Sequence, residues 1–293
     1  KLRLPDFRED VRDATQSSGI LIIGEPKTPE PNLKADPPFE GYARLPGAAG
    51  EARAVRDILL GRNPSDDDDD DEPAAPRFDD DQLVDCLIAG DSEHPEGPDA
   101  QAVVNKLLER DWKVVHIAGH GEPPIAANQL RGVVLSDGFL GPDEMRSMRI
   151  VPQLVFVNCC HLARGDDRHL MRTPSYNRVD FASGVARALI ETGVKCVVAA
   201  GWAVDDECAK AFATTFYRSL RAGNPFVDAV FDARKAAYDT NRSSNTWAAY
   251  QCYGDPEWTL SVTMPMPDES DAALDEQRRE RFGAIASPQA LVL

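Results

Sequence analysis

Short apolar runs recur along this chain with helical patterns between them, and this alternation constrains the fold more than any other feature. The runs are Gly19–Gly24, Lys113–Ala118, Gln153–Asn158 and Lys195–Ala200. They do not alternate between apolar and polar residues, which is typical of strands that are buried on both faces of a sheet. The pattern therefore predicts an α/β fold, a three-layer sandwich whose mostly parallel central sheet carries helices on both faces.

The helical patterns have clear boundaries at several places. The segment Asp206–Leu220 begins with acidic residues, and Gly223 follows its end. Its residues Phe212, Phe216 and Leu220 form one apolar stripe. Other predicted helices are 48–60, 100–110, 181–191 and 225–238, with a short helix at 141–148, an extended piece at 132–136 and an edge strand at 258–262. A domain over residues 1–263 and a polar tail over 264–293 are expected.

The acidity of the chain is concentrated in one region. The formal net charge is −17, and residues 61–100 contain fifteen acids against two arginines. The run Asp66–Asp71 lies in this region, and the segment 61–82 is predicted to be a solvated, mobile insertion because like charges repel and prolines interrupt regular structure. The alternative interpretation is that the acidic segment attracts a basic substrate or partner. No basic patch is visible for nucleic acid, so none is expected as a partner.

Composition also limits the location and the cofactors. No apolar run reaches the roughly 18 residues of a membrane helix, and the first residues lack the apolar stretch of a signal peptide. A cytoplasmic protein with no membrane partner is therefore expected. The six cysteines have no paired spacing typical of a zinc site. The chain begins with Lys1, so it is expected to be a fragment of a larger protein.

Polar residues follow three of the predicted strands, where ligands and catalytic groups collect in parallel sheets. The sequences are AGHGE after the strand at 113–118, NCCHL after 153–158, and GWAVDDE after 195–200. Two histidines four residues apart on a strand are about 13 Å apart, too far for one metal ion. His116 is therefore predicted to be a packed or hydrogen-bonded strand residue. His120 lies between two glycines, where its ring and a backbone N–H can face one pocket.

The thiol pair Cys159-Cys160 allows two interpretations from the residues alone. Both sulfurs could be buried structural thiols. Alternatively, one of them could become a reactive thiolate beside a base, and His120 at a neighbouring strand end could supply that base.

The same segments resemble the CHAT domain, a bacterial branch of the caspase-like cysteine peptidases that is related to separases, metacaspases, gingipains and caspases. The resemblance covers about residues 19–260. It is carried, in order, by LPGAAGEARAV, VVHIAGHG, GVVLSDGFLGPDEM, LVFVNCCHLARG, FASGVARALIETGVKCVVAAGWAVDDECAKAFATTFYRSLRAG and WAAYQCYGDP. It implies a caspase-type α/β sandwich with a Cys-His dyad and without a metal or organic cofactor.

The resemblance also implies roles for individual residues. Cys160 aligns with the nucleophile, and Cys159 occupies the slot that usually holds a small residue such as alanine. His120 aligns with the base, and the amides of Gly121 and Cys160 would form the oxyanion hole. The stretch containing Asp205 and Asp206 is similar to one that lies beside the pocket for the residue before the scissile bond. Carboxylates there would favour a basic residue, whereas N-terminal capping of the following helix is the competing explanation.

The expected function is cleavage of a protein or peptide substrate by a cysteine endopeptidase. In the family, such domains act within larger regulated bacterial proteins, often in defence, and gasdermin-like proteins are among their substrates. Regulatory domains or partners outside this chain are therefore expected. Two alternatives stay open at this point: a catalytically weak binding or signalling module, and a thiol hydrolase that acts on a small acyl substrate.

Overall fold

The computed structural model describes residues 18–34, 39–62, 83–122, 132–141, 150–159 and 185–260. All of these residues lie in one compact unit, Lys1–Val262. The predicted acidic insertion (from residue 63 onward), the predicted helix at 141–148 (from residue 142 onward) and the predicted tail lie outside the described residues. The domain boundaries therefore remain predictions.

Six strands form the central sheet, in the order β2-β1-β3-β6-β7-β8. The strands are β1 Gly19–Gly24, β2 Val84–Ile88, β3 Trp112–Ala118, β6 Leu154–Asn158, β7 Cys196–Ala200 and β8 Tyr250–Gly254. Strands β2, β1, β3, β6 and β7 run parallel, and β8 pairs antiparallel with β7. A separate hairpin consists of β4 Val133–Leu135 and β5 Gly138–Leu140.

Helices cover both faces of the sheet. They are α1 Pro46–Leu59, α2 Ala100–Glu109, α3 at 185–191, α4 Asp206–Arg221, α5 Phe226–Thr240 and the short α6 Thr246–Ala249. One core cluster joins α1, α4 and α5 to side chains such as Ile22 and Phe156, and the other joins α2 and α3 to side chains such as Ile23 and Val157. The alternation of side chains along a strand sends neighbouring residues into opposite cores. The predicted α/β sandwich with a mostly parallel sheet is confirmed.

Two strands differ from the sequence prediction. The segment 83–100, next to the acid run, contains β2, in which Asp85 lies near Lys106 and Arg110 at 3.8 and 3.7 Å. The edge strand expected at 258–262 is wrong, because the edge is formed by β8 and residues 258–260 are not a strand. Trp258 is instead buried, and its indole Nε1 donates to Gln153 Oε1 at 3.0 Å.

None of the helices in the described ranges combines the length and the hydropathy that a membrane crossing requires.

Candidate active site

Strands β3 and β6 end side by side, and this pairing sets the geometry of the candidate site. Ala118 pairs with Asn158 at the end of the ladder, and the N–H of Gly119 donates to the carbonyl of Asn158 at 3.1 Å. The segment with His120 after β3 and the residue Cys159 after β6 therefore follow the carboxyl ends of two neighbouring strands. Cys160 lies outside the described residues.

Gly121 lies directly against the end of β6. A Cβ atom at this position would be 2.8 Å from the carbonyl oxygen of Cys159 and 3.0 Å from its Cβ. Such contacts are closer than van der Waals packing allows, so a side chain at Gly121 would require the two segments to separate. The absence of a side chain at Gly121 thus brings the His-Gly segment into contact with the residue that precedes Cys160.

The segment after β3 is also fixed from the other side. Gly121 and Val133 form an antiparallel bridge, in which Glu122 N–H donates to the Gly132 carbonyl and Val134 N–H donates to the His120 carbonyl. Neither of these two hydrogen bonds uses the N–H of Gly121. The β4 strand therefore holds the backbone of His120 and Gly121 without occupying that N–H group.

The imidazole of His120 is oriented by the loop that precedes α1. Its Nε2 lies 2.7 Å from the carbonyl oxygen of Ala43. A carbonyl only accepts hydrogen bonds, so this contact places a proton on Nε2 and makes Nδ1 the basic nitrogen of the neutral ring. The ring of Tyr42 packs on the imidazole with centroids 5.0 Å apart, and the Tyr42 hydroxyl donates to Glu122. His120 is 5% exposed and lines a cavity of about 230 Å³.

Cys159 is a core residue. It is fully buried in the cluster that contains Val157 and Ile117, and its thiol is 4.0 Å from the Ile117 carbonyl. This environment suits a packed thiol rather than one that meets a substrate. Cys86, Cys196 and Cys252 belong to β2, β7 and β8 rather than to β3 or β6. Burial raises the pKa of Cys86, Cys196 and Cys252 to about 12, because desolvation disfavours the thiolate.

Beneath the strand ends lies a buried polar chain that was not predicted from the sequence. Asn158 Nδ2 donates to Glu51 Oε2 at 2.6 Å, and Glu51 Oε1 lies 3.3 Å from His116 Nε2. His116 Nδ1 in turn lies 3.2 Å from the hydroxyl of Tyr217 on α4. The prediction that His116 is a packed, hydrogen-bonded strand residue is confirmed. Burial, followed by the charge of Glu51, raises the pKa of Tyr217 well above its usual value.

The sequence did contain a signal for Glu51. It lies on the face of α1 that also carries Ala52, Val55 and Leu59, all of which are buried. A charged residue on an otherwise apolar helix face is unusual, because a buried charge requires partners. The sequence prediction did not use this signal. The contact of the Ala43 carbonyl with His120 has no signal in the sequence, since every residue supplies a backbone carbonyl.

Asp205 and Asp206 occupy different environments. Asp205 is the N-cap of α4, where its Oδ1 accepts from Cys208 N–H at 3.0 Å, and its own N–H donates to Thr246 Oγ1. Asp206 is in the first turn of α4 and lines a second, smaller cavity together with Gly119 and Asn158. Desolvation, then the charges of Asp205 and Glu207, raise the pKa of Asp206.

No group of three or more potential metal-ligating side chains occurs within the described ranges. The described part of the site consists of the oriented imidazole of His120 and the adjacent Gly121 after β3, and of the cavity beside Asn158 at the end of β6, which Asp206 lines.

The comparison with protein-family models agrees with the family resemblance. The family model of the CHAT domain matches residues 2–255. Among solved structures, the Arg-specific cysteine proteinase gingipain R is similar, with 12% identity and a TM-score of 0.46 over 87% of this chain and 51% of that chain. This chain thus spans about half the length of the gingipain chain. Among curated protein sequences, none matches it. Because the family model extends over most of its length, the chain belongs to the CHAT domain family, the caspase-like cysteine peptidase family that its sequence resembles.

Proposed function

We propose that this chain is a cysteine endopeptidase in which Cys160 is the nucleophile and His120 is the general base and acid. The observation that carries the proposal is the contact between Gly121 and Cys159, which brings the segment after β3 against the residue before Cys160. Family membership supplies the expectation of a Cys-His dyad, and the orientation of His120 by the Ala43 carbonyl supports it.

The proposed first half-reaction forms a thioester. The Cys160 thiol transfers its proton to Nδ1 of His120, and the thiolate attacks the carbonyl carbon of the scissile peptide bond. The N–H groups of Gly121 and Cys160 donate to the developing oxyanion. His120 then returns the proton to the leaving amine, and the peptide C–N bond breaks. The Ala43 carbonyl stabilises the imidazolium through Nε2–H while the second proton is held on Nδ1.

The second half-reaction hydrolyses the thioester. His120 takes a proton from water, the hydroxide attacks the acyl carbon, and the thiolate leaves and recovers its proton. Both half-reactions use only groups of the protein, the substrate and water. The product is a free carboxylate on the segment before the cut.

We further propose that the residue before the scissile bond is basic. Asp206 lines the cavity beside Asn158, and its carboxylate would pair with a cationic side chain. Asp205 already accepts the capping hydrogen bond of α4, so Asp206 is the better candidate of the two for contact with substrate. By analogy with the family, the proposed substrate is a protein, gasdermin-like proteins included, and the proposed context is a larger, regulated bacterial defence protein.

The decisive experiment measures peptide cleavage by three single variants. We expect Cys160→Ala and His120→Ala to lower kcat/KM by at least about a thousandfold, because each removes a member of the dyad. Cys159→Ala is the matched control and should stay active, since Cys159 is packed in the core and the change removes one sulfur atom. Urea unfolding of each variant separates lost chemistry from lost folding.

Other results would identify the alternatives. Equal loss in Cys159→Ala and Cys160→Ala, with both variants folded, would indicate a structural thiol pair. Cysteine-dependent hydrolysis of small thioesters without cleavage of any peptide would indicate a hydrolase for small acyl substrates. Unchanged turnover in folded His120→Ala would show that His120 is not the general base.

A further inference from the structure

The small cavity at the ends of β3 and β6 has an unusual set of lining groups. It lies between α1, α4 and the two strand ends, and the polar side chains that line it are those of Glu51, Asn158 and Asp206. No described residue that lines it carries a positive charge. Carboxylate oxygens only accept hydrogen bonds, so the cavity presents two acceptor groups and one amide.

Two buried oxygens beside this cavity have unused capacity. In the described part of the chain, neither Glu51 Oε1 nor Asn158 Oδ1 accepts a hydrogen bond, although Glu51 Oε1 lies 3.3 Å from His116 Nε2. Glu51 is 1% exposed and Asn158 is 7% exposed. An acceptor that is buried without a donor is costly, so such atoms indicate where a donor binds.

The exposure of the lining side chains distinguishes the mouth of the cavity from its floor. Asp206 is exposed at its mouth, whereas Glu51 and Asn158 are buried at its floor. A Cβ atom at Gly47 would overlap the Asp206 carboxylate, so the glycine in the first turn of α1 leaves room for that group. An acid in the first turn of a helix is favourable by itself, which accounts for Asp206 but not for the buried acceptors at the floor.

The size of the cavity selects among cationic groups. Its free volume is about 20 Å³, which is room for one water-sized group. An ammonium group is a compact point charge with three donors, whereas a guanidinium group is a wider planar fork. The floor between Glu51 and Asn158 therefore suits the tip of a lysine side chain better than that of an arginine.

We propose that Glu51 and Asn158 form the floor of the pocket for the residue before the scissile bond, and that they make the enzyme selective for lysine over arginine. This inference rests on the proposed function. Glu51 accepts from the substrate ammonium while Asn158 Nδ2 holds its other oxygen, and Asn158 Oδ1 accepts a second ammonium proton. Asp206 attracts the cation at the mouth.

The test compares matched peptides that differ only in the residue before the cut: lysine, arginine, norleucine and Nε-trimethyllysine. For the unmodified protein, we expect kcat/KM to favour lysine over arginine by about tenfold. Lysine should exceed norleucine by about 100-fold, because norleucine lacks the charge. Trimethyllysine keeps the charge but has no N–H donor and is larger, so its kcat/KM should fall by at least about tenfold. These peptides need no variant and so cannot fail through misfolding.

Variants then assign the selectivity to residues. Glu51→Gln can still accept from Asn158 but loses the charge, and it should lower the lysine-to-norleucine ratio by about 10- to 100-fold. Asp206→Asn, at the exposed mouth, should lower the same ratio less strongly. Asp228→Asn is the matched control, since Asp228 is an exposed acid in the first turn of α5 and does not line the cavity. It should leave every ratio unchanged.

The possible failures are distinguishable. Cleavage that persists in Cys160→Ala would overturn the proposed function itself. Cleavage that depends on Cys160 but treats lysine, arginine and norleucine alike, or that prefers arginine, would overturn only the inference about the floor. A lysine preference that Glu51→Gln leaves intact would show that Glu51 is purely structural and that Asp206 or another group sets the preference.

Discussion

The two adjacent aspartates show how one residue position changes the role of a carboxylate. Asp205 accepts from the N–H of Cys208, as an N-cap does, and its backbone is held by Thr246. Asp206 begins the helix and lines the cavity beside Asn158 instead. From the sequence, capping and substrate contact were both open for the pair. The structure gives the cap to Asp205, and contact of Asp206 with substrate is a proposal.

Loss of this cap should cost stability without changing specificity. We expect Asp205→Ala to lower the free energy of unfolding by about 1 kcal/mol, because the Cys208 N–H loses its acceptor. Urea unfolding measures the change. Asp205→Asn is the matched control, since asparagine caps helices about as well as aspartate. An altered preference for the residue before the cut in Asp205→Ala would contradict the division of roles between the two acids.

At the scale of elements, continuous apolar runs and well-bounded helical patterns were predictable, whereas strands of mixed composition were not. Helix α4 agrees with its prediction because the apolar stripe, the acids at its start and the basic residues at its end all indicate the same boundaries. Strand β2 was missed because its five residues include Asp85 and Cys86 and lie beside the acidic run. The edge strand was misplaced because β8 is only partly buried, so its sequence lacks the continuous apolar run of a central strand.

The link between α1 and β6 is a second feature of this scale. Glu51 on the helix accepts from Asn158 on the strand, and both side chains are buried. We expect Asn158→Ala to lower the free energy of unfolding by about 1–3 kcal/mol, because one oxygen of the buried carboxylate loses its donor. Urea unfolding of this variant, of Glu51→Ala and of the double variant forms a complete thermodynamic cycle.

In that cycle the loss in the double variant should be smaller than the sum of the two single losses. Strict additivity would mean that the hydrogen bond between the two side chains adds nothing to the free energy of unfolding.

For the molecule as a whole, the cysteines provide a test of where reactivity resides. Burial raises the pKa of Cys86, Cys196 and Cys252 to about 12, so at pH 7.5 fewer than about one in a thousand of these thiols is a thiolate. We expect brief treatment with iodoacetamide at pH 7.5 to modify Cys160 and to spare these three. Peptide mapping by mass spectrometry measures the extent at each position.

The matched control is Cys160→Ala, which should lose the fast-reacting site and gain none. Modification of Cys86, Cys196 and Cys252 should increase at higher pH, since their thiolate fractions rise as the pH approaches 12. Labelling of any of them as fast as Cys160 at pH 7.5 would contradict the assignment of the nucleophile.

Only those parts of the candidate site that depend on the type of side chain could be predicted from the sequence. His120, Cys160 and the two aspartates carry recognisable functional groups, and the predicted order of the strands led to the expectation that they lie at the ends of neighbouring strands. The orientation of His120 depends on the backbone carbonyl of Ala43, and the buried floor depends on the packing of α1 against β6. Neither follows from residue type, because both arise from tertiary contacts between segments far apart in the chain.

The contact at Gly121 also restricts how sequences of this kind can diverge. Any side chain there would meet the Cys159 carbonyl, while the ladder between β3 and β6 fixes both segments on the strand side. The proposed chemistry therefore favours glycine at this position, because even alanine would require the two segments to shift apart. Replacement of this single glycine in a relative would indicate that the relative has lost the arrangement on which the proposed peptidase activity depends.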